Sequence, residues 1–234
     1  MVIRGATRES RHSRRVPQKF EGIYELPRAA HYLLASRDSQ EAYSVGSRQL
    51  IRWIRSGLAL PSLADVPGRS LLITFEDLVS MRVVAALRAA GVSWPKIRRA
   101  ETWLRQATRH SRPFATEQLW TERSEVFAEF RDRLVAASRR GQSAMKMVEE
   151  YLIPIHGLRF DASHVAASWE PMSGVLLDPG IQFGAPVVKG TRVPTRAIWD
   201  MTEGGDSIEF VANAYRITAD EVKQAMTWED AVAA

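Results

Sequence analysis

The stretch from Ser47 to Ser56 constrains this chain more than any other, because as a helix it divides into one apolar and one cationic face. At about 100° per residue, Arg48, Arg52 and Arg55 fall within about 60° of one another, opposite Leu50, Trp53 and Ile54. Such a helix must lay one side on a core and leave the other to solvent or to an anionic partner. Ser47 is the expected N-cap, and Gly57 supplies the left-handed stop that ends helices.

The flanking sequence offers that core. Pro27 followed by Ala29, Ala30, Tyr32, Leu33 and Leu34 predicts a short first helix with proline in its first turn, then a polar connection from Ser36 to Ser44. Leu58 to Pro61 and Leu71 to Thr74 read as two short strands joined through Pro67-Gly68-Arg69-Ser70, a basic-tipped wing. Thr74 and Asp77 have capping-box spacing for a third helix, with Leu78, Met81, Val84, Ala85 and Leu87 inward and its end at Gly91. Ser93 and Pro95 open a fourth helix with Ile97, Ala100 and Leu104 inward. Its outward Lys96, Arg98, Arg99 and Arg105 either contact phosphates or keep the helix soluble.

Charge is split along the chain. Residues 1–20 carry a net +5, residues 21–112 a net +6 and residues 113–234 a net −6. The first block reads as a disordered basic arm. A basic front half attracts a phosphate backbone, whereas the acidic back half is repelled by one and suits a protein partner. Cysteine is absent, which excludes disulfides and thiolate metal sites, and no run approaches the roughly 20 apolar residues of a membrane span. A cytoplasmic protein with no membrane association is expected.

In residues 113–173, Leu119-Trp120 and Val126 to Phe130 suggest a hairpin and Ser143 to Leu152 a helix stopped by Pro154. Leu158 to Phe160 and Val165, Ala167 and Trp169 alternate as strands do. Residues 174–234 open with Gly and Pro and continue as three helical stretches, Thr195 to Glu203, Ser207 to Tyr215 and Thr218 to Thr227, with Asp206 or Ser207, and Thr218, as caps. The expected architecture is mainly α with small β elements: an N-terminal winged helix-turn-helix over 21–112, an α+β middle segment, and a C-terminal three-helix, helix-turn-helix-like bundle preceded by a short hairpin.

Catalytic patterns are weak. His156, Asp161 and His164 have a spacing open to metal, but strand alternation separates His156 and His164 from Asp161. Glu149-Glu150 reads as a solvated helix face, and His12, His31 and His110 sit in arginine-rich stretches without neighbouring acids. Neither a phosphate-cradling loop nor a nucleophile elbow is present, so no catalytic residue, metal or cofactor is expected.

The fragments Tyr24-Glu25-Leu26, Arg52-Trp53-Ile54-Arg55-Ser56-Gly57-Leu58, Ile73-Thr74-Phe75-Glu76-Asp77-Leu78 and Leu87-Arg88-Ala89-Ala90-Gly91-Val92-Ser93 resemble the MerR-type winged helix over residues 23–106. The resemblance implies that the arginine-faced helix enters a major groove, where guanidinium groups donate in pairs to guanine. Arg48, Gln49 and Arg52 are then the base-edge candidates beside Ser47, while Arg55 and Arg69 hold phosphates. The chain departs from that family in its long connection between the first two helices, its sparse wing and its lack of a dimerising coiled coil.

Asp178-Pro179-Gly180, Gly190-Thr191-Arg192-Val193-Pro194, Gly204-Gly205-Asp206-Ser207 and Ile217-Thr218 resemble a small antitoxin-associated domain family over residues 174–231. Gly190 permits a turn and Pro194 fixes the chain entering a helix, so Arg192 sits on a constrained loop. Gly190, Thr191, Arg192 and Pro194 are the partner-binding candidates. Arg192 serves a partner or pairs locally with Asp178 or Asp200.

The two resemblances together are similar to the larger VapB-type antitoxins, which implies operator DNA and a cognate PIN-type ribonuclease toxin as partners and a repressor of its own operon. Operator symmetry implies a homodimer, with Val175 to Leu177 and Pro186 to Val188, taken as exposed strands, or the Ser143 to Leu152 helix as the contact. The alternatives are a stand-alone MerR-like regulator whose middle segment senses a ligand, and an oligomeric scaffold without a specific DNA target.

Overall fold

The computed structural model describes residues 21–36, 47–55, 72–89, 91–117 and 157–233. The expected hairpin at 119–130, the helix at 143–152, the strand at 58–61 and the basic arm at 1–20 lie outside these residues.

Local signals, a side-chain cap or a proline in the first turn, mark most helix starts. Helix α1 (Leu26–Ala35) begins with Pro27 in its first turn, and α2 (Ser47–Arg55) follows. Helix α3 (Phe75–Ala89) starts on the expected capping box: the Asp77 amide donates to Thr74 Oγ1 at 3.2 Å, and Asp77 Oδ2 accepts from the Thr74 amide at 3.0 Å. Helix α4 (Trp94–Thr108) starts after Ser93 with Pro95 in its first turn.

Helix α3 is enclosed rather than one-sided. Val79, Val83 and Ala86 are buried along with the expected Leu78, Met81, Val84, Ala85 and Leu87. The cause lies in its neighbours, since it packs on α1, α4, the 3-10 turn Pro113–Ala115 and strand β4 of the back half. The enclosure reaches charged positions too, with Asp77 and Arg82 also buried.

Strand β2 (Leu72–Ile73) pairs antiparallel with β1 (Tyr24–Glu25), in the register Tyr24 to Ile73 and Glu25 to Leu72. The sequence reading missed β1, and the Leu58 to Pro61 strand it set beside this region lies outside the described residues. Two residues carry too little alternation to show, and the pairing partner is remote in sequence.

The back half is built on one antiparallel sheet in the order β3 (Leu158–Phe160), β4 (Ala166–Met172), β5 (Val175–Leu177), β6 (Val187–Val188). The expected β3–β4 and β5–β6 hairpins are both present. The sheet crosses the division drawn at 173/174, which falls in the β4–β5 turn. The strands proposed as an exposed dimer surface are interior: Val175, Leu177 and Val187 are fully buried and Val188 nearly so. Strand β5 has a neighbour on each side, and the outer edge of β6 is covered by the chain itself, where the Val188 amide donates to the Val193 carbonyl at 2.9 Å and Val187 bridges Pro194.

Three helices close the chain: α5 (Thr195–Glu203), α6 (Ile208–Tyr215) and α7 (Ala219–Ala233). Ser207 Oγ accepts from the Phe210 amide as N-cap of α6, and Thr218 with Glu221 forms a second capping box at α7. Helix α7 runs six residues beyond the expected Thr227 because Trp228, Ala231 and Val232 pack against the main core.

That core joins the ends of the chain. Tyr24, Leu26, Tyr32 and Phe75 share a cluster with Trp169, Val175, Leu177 and Trp228, and the Tyr32 and Trp228 rings stand 5.8 Å apart. A smaller cluster of Val188, Ile198, Val211, Val222 and Ala225 lies within the terminal bundle. No helix among the described residues is long and apolar enough to cross a membrane.

Candidate functional site

Helix α2 carries the first candidate surface. Trp53 is its buried anchor, edge-on to Trp94 of α4 at 5.1 Å, and the Arg88 guanidinium stacks on the Trp94 ring at 5.2 Å while donating to the Val92 carbonyl at 2.6 Å. Packing Trp53 inward turns Arg48, Gln49 and Arg52 outward, and all three are exposed. The side chains of Ser47 and Arg55, and Arg69 altogether, lie outside the described residues. On α4, Lys96, Arg98 and Arg99 are exposed as expected. Arg105 is not equivalent to them, since its guanidinium pairs with Glu101 at 2.8 Å and donates to the Ser111 carbonyl.

The second surface is the loop between β6 and α5. Gly190 takes φ +81°, a left-handed conformation that glycine adopts freely. The Thr191 hydroxyl donates to the Val188 carbonyl at 2.8 Å and accepts from the Val193 amide at 3.0 Å, so the threonine holds the turn together internally. Pro194 then leads into α5, where Thr195 is fully buried and its hydroxyl donates to Glu229 Oε1 of α7. Arg192 stands between these fixed points, exposed, with its carbonyl accepting from Gln182 Nε2 at 3.1 Å.

Local pairing of Arg192 is not what the geometry shows. The Asp200 carboxylate pairs with Arg196 at 2.8 Å, Asp178 Oδ1 accepts from the Gly180 amide, and Arg192 has no ion pair among the described residues. Lys189, the other cation of the loop, is held by Glu170 at 2.6 Å.

Burial acts to raise the Glu170 pKa, but the Lys189 hydrogen bond, the Gly174 amide and the nearby Lys189 and Arg159 charges outweigh it and hold the carboxyl below its ordinary value. A folded pKa below the unfolded one contributes stability above the ordinary glutamate range and loses it as pH falls through the folded value. Lys189→Met should therefore move the Glu170 titration upward, read by carboxyl-carbon NMR; an unmoved titration would remove Lys189 as the cause.

The sequence reading missed the link from this surface to the front of the chain. Glu229 is buried, and besides Thr195 it faces Arg28 of α1 at 3.9 Å. Arg28 also lies over the Tyr32 ring, and burial pushes the Tyr32 hydroxyl up to about 12 with Arg28 working against the shift. His31 Nδ1 is 2.9 Å from the Val232 carbonyl. A glutamate in the later part of a helix gives no sequence signal of burial, because its partners are remote.

The histidines have local duties. His164 Nδ1 lies 2.6 Å from Glu117, and the Asp161 carboxylate accepts from the Ser163 and Val165 amides in the β3–β4 turn. His110 was read as lacking an acidic neighbour; the fold brings Glu76 to 3.8 Å from its Nε2. His156 lies outside the described residues, and among those described no group of three or more His, Asp or Glu is placed to hold a metal ion.

Comparison with known proteins covers both surfaces. Residues 175–228 match a family model described as a protein of unknown function, DUF433. The chain is 25% identical over 230 residues to a Mycobacterium tuberculosis protein named "Putative antitoxin VapB45", spanning 91% of this chain and 94% of that one. The fold is similar to the crystal structure of Rv2018 from Mycobacterium tuberculosis, with a TM-score of 0.61 at 23% identity, covering 87% of this chain and 96% of the other.

Proposed function

We propose that this chain is the antitoxin of a type II toxin–antitoxin system: a cytoplasmic, non-catalytic homodimer that represses its own operon and neutralises a PIN-type ribonuclease. The observation that carries the reading is the end-to-end similarity to a protein named as an antitoxin, which spans the front and back halves alike.

In this reading α2 is the recognition helix of a MerR-like winged helix-turn-helix. Arg48, Gln49 and Arg52 meet base edges, and Ser47, Arg55 and Arg69 supply the remaining contacts to DNA. Support comes from the way Trp53 sits on Trp94 and leaves the polar side of α2 clear. At the other end, Gly190, Thr191 and Pro194 hold Arg192 toward the toxin, whose acidic magnesium-dependent site an antitoxin arginine can occupy. A side chain with no ion pair among the described residues suits that role, since no such pair has to break.

The test uses the chain's own upstream DNA and the purified product of the neighbouring gene. Arg52→Ala is expected to cost about 1–3 kcal/mol on the cognate DNA and to relax its sequence preference. Equal loss on random DNA would reduce α2 to a backbone contact. Arg192→Ala should weaken the protein complex while leaving DNA affinity intact, and an unchanged complex would remove Arg192 from the contact.

A further inference from the structure

Phe183 is 70% exposed and Ile23 is 57% exposed, two of the three most exposed large apolar side chains among the described residues. They belong to opposite ends of the sequence, yet the Ile23 amide donates to the Phe183 carbonyl at 3.1 Å. The fold therefore joins, backbone to backbone, a front-half and a back-half segment that each expose an apolar side chain.

The loop that carries Phe183 is built to hold it out. Gln182 and Phe183 take φ +48° and +56°, and Gly184 follows at +91°. Two successive non-glycine residues in the left-handed region is an unfavourable backbone that persists only when its surroundings enforce it. Here the Gly184 amide donates to Ile181, the Ala185 amide donates to Gln182, and Gly184 lies against the Tyr24 ring so closely that any Cβ would collide with the Tyr24 hydroxyl. A phenylalanine ring left in water forgoes the gain of burial, and exposed apolar side chains on adjoining segments suit a contact site.

The same loop reaches Arg192, through the bond from Gln182 Nε2 to its carbonyl. Between Pro179 and Trp199 there is no acidic residue and there are three basic ones, Lys189, Arg192 and Arg196, inside a half of the chain that is otherwise acidic. Lys189 and Arg196 are paired, which leaves Arg192 as the cation of the group without an ion pair among the described residues. Glu21 and Glu25 share the exposed side of the segment with Ile23, so exposed carboxylates accompany Ile23 and an exposed cation is tied to the Phe183 loop. Aromatic and arginine side chains over a polar rim are the composition of a protein contact core.

We infer that Phe183, Ile23 and Arg192 form a single docking surface for the toxin, with the ring and Ile23 in an apolar seat and Arg192 against its carboxylates. This inference rests on the antitoxin reading and adds that the front half supplies part of the toxin contact.

The experiment measures binding of the full chain to the purified neighbouring gene product by calorimetry at low and high salt. Phe183→Ala and Ile23→Ser should each weaken binding, Phe183→Ala by at least ten-fold, with losses that hold as salt rises. The loss from Arg192→Ala should shrink with salt. Both apolar side chains are exposed, and unchanged melting temperatures and unchanged DNA affinity would show that the variants fold. Full affinity in Phe183→Ala and Ile23→Ser overturns the inference while leaving the antitoxin reading intact, as does a shift from dimer to monomer at unchanged toxin affinity. No binding by the unaltered chain overturns both.

Discussion

Asp77→Ala should lower the stability of the chain by about 3–5 kcal/mol, the range for removing one partner of a buried ion pair. Asp77 is 4% exposed and does two jobs. Its Oδ2 accepts from the amide and hydroxyl of Thr74 and so starts α3, while Oδ1 accepts from Arg112 Nε at 2.5 Å and fixes the segment that follows α4. Alanine would leave a guanidinium whose side chain is 12% exposed without that carboxylate, and the Thr74 amide without its acceptor. Urea denaturation gives the measurement. A loss below about 1 kcal/mol, the size of a capping interaction alone, would mean that the pair with Arg112 contributes nothing.

Trp228→Ala should cost a similar amount, about 3–5 kcal/mol, because deleting a fully buried tryptophan removes its transfer energy and leaves a cavity. The more informative part is where the loss appears. Trp228 belongs to α7, but its neighbours are Tyr32 of α1 and the core shared with Phe75 and Trp169. Heating should therefore give one transition that moves down as a whole, with loss of the front half at the same temperature as the back. Two transitions, with only the later residues affected, would show that the halves fold separately. Trp228→Phe should cost much less, since the indole nitrogen has no hydrogen-bond partner among the described residues to lose.

These two residues mark the limits of what the sequence discloses. The Thr74–Asp77 box and the caps at Asp206 or Ser207 and at Thr218 were legible because capping is local, with both partners within three residues. The helices they begin followed directly. The Arg112 partner of Asp77 was not legible, being 35 residues away. Nor was the pairing of Tyr24–Glu25 with Leu72–Ile73, or the docking of α7 on α1, because periodicity shows which face is apolar and not what covers it.

The candidate surfaces divide in the same way. Arg48, Gln49 and Arg52 could be found from their angular spacing, and Arg192 from the turn chemistry of Gly190 and Pro194. Phe183 carried no such signal. An apolar residue between Pro179-Gly180 and Gly184 reads as part of a turn, and only the folded chain shows that its ring is exposed. The picture of a basic reader tethered to an acidic partner-binding module changes accordingly. The α2 surface stands on the main core with Tyr24, Tyr32 and Trp228, the Arg192 loop stands on the smaller cluster of the terminal bundle and is tied to the front half through Thr195, Glu229 and Arg28, and the segment from Glu21 to Glu25 borders both the β2 strand and the Phe183 loop.

Growth of cells expressing the neighbouring gene, with and without this chain, tests the antitoxin reading most directly. The account predicts that the neighbour alone arrests growth, that co-expression of the chain restores it, and that Arg192→Ala restores it less well. Unimpaired growth with the neighbour alone, or arrest that the chain does not relieve, would contradict it.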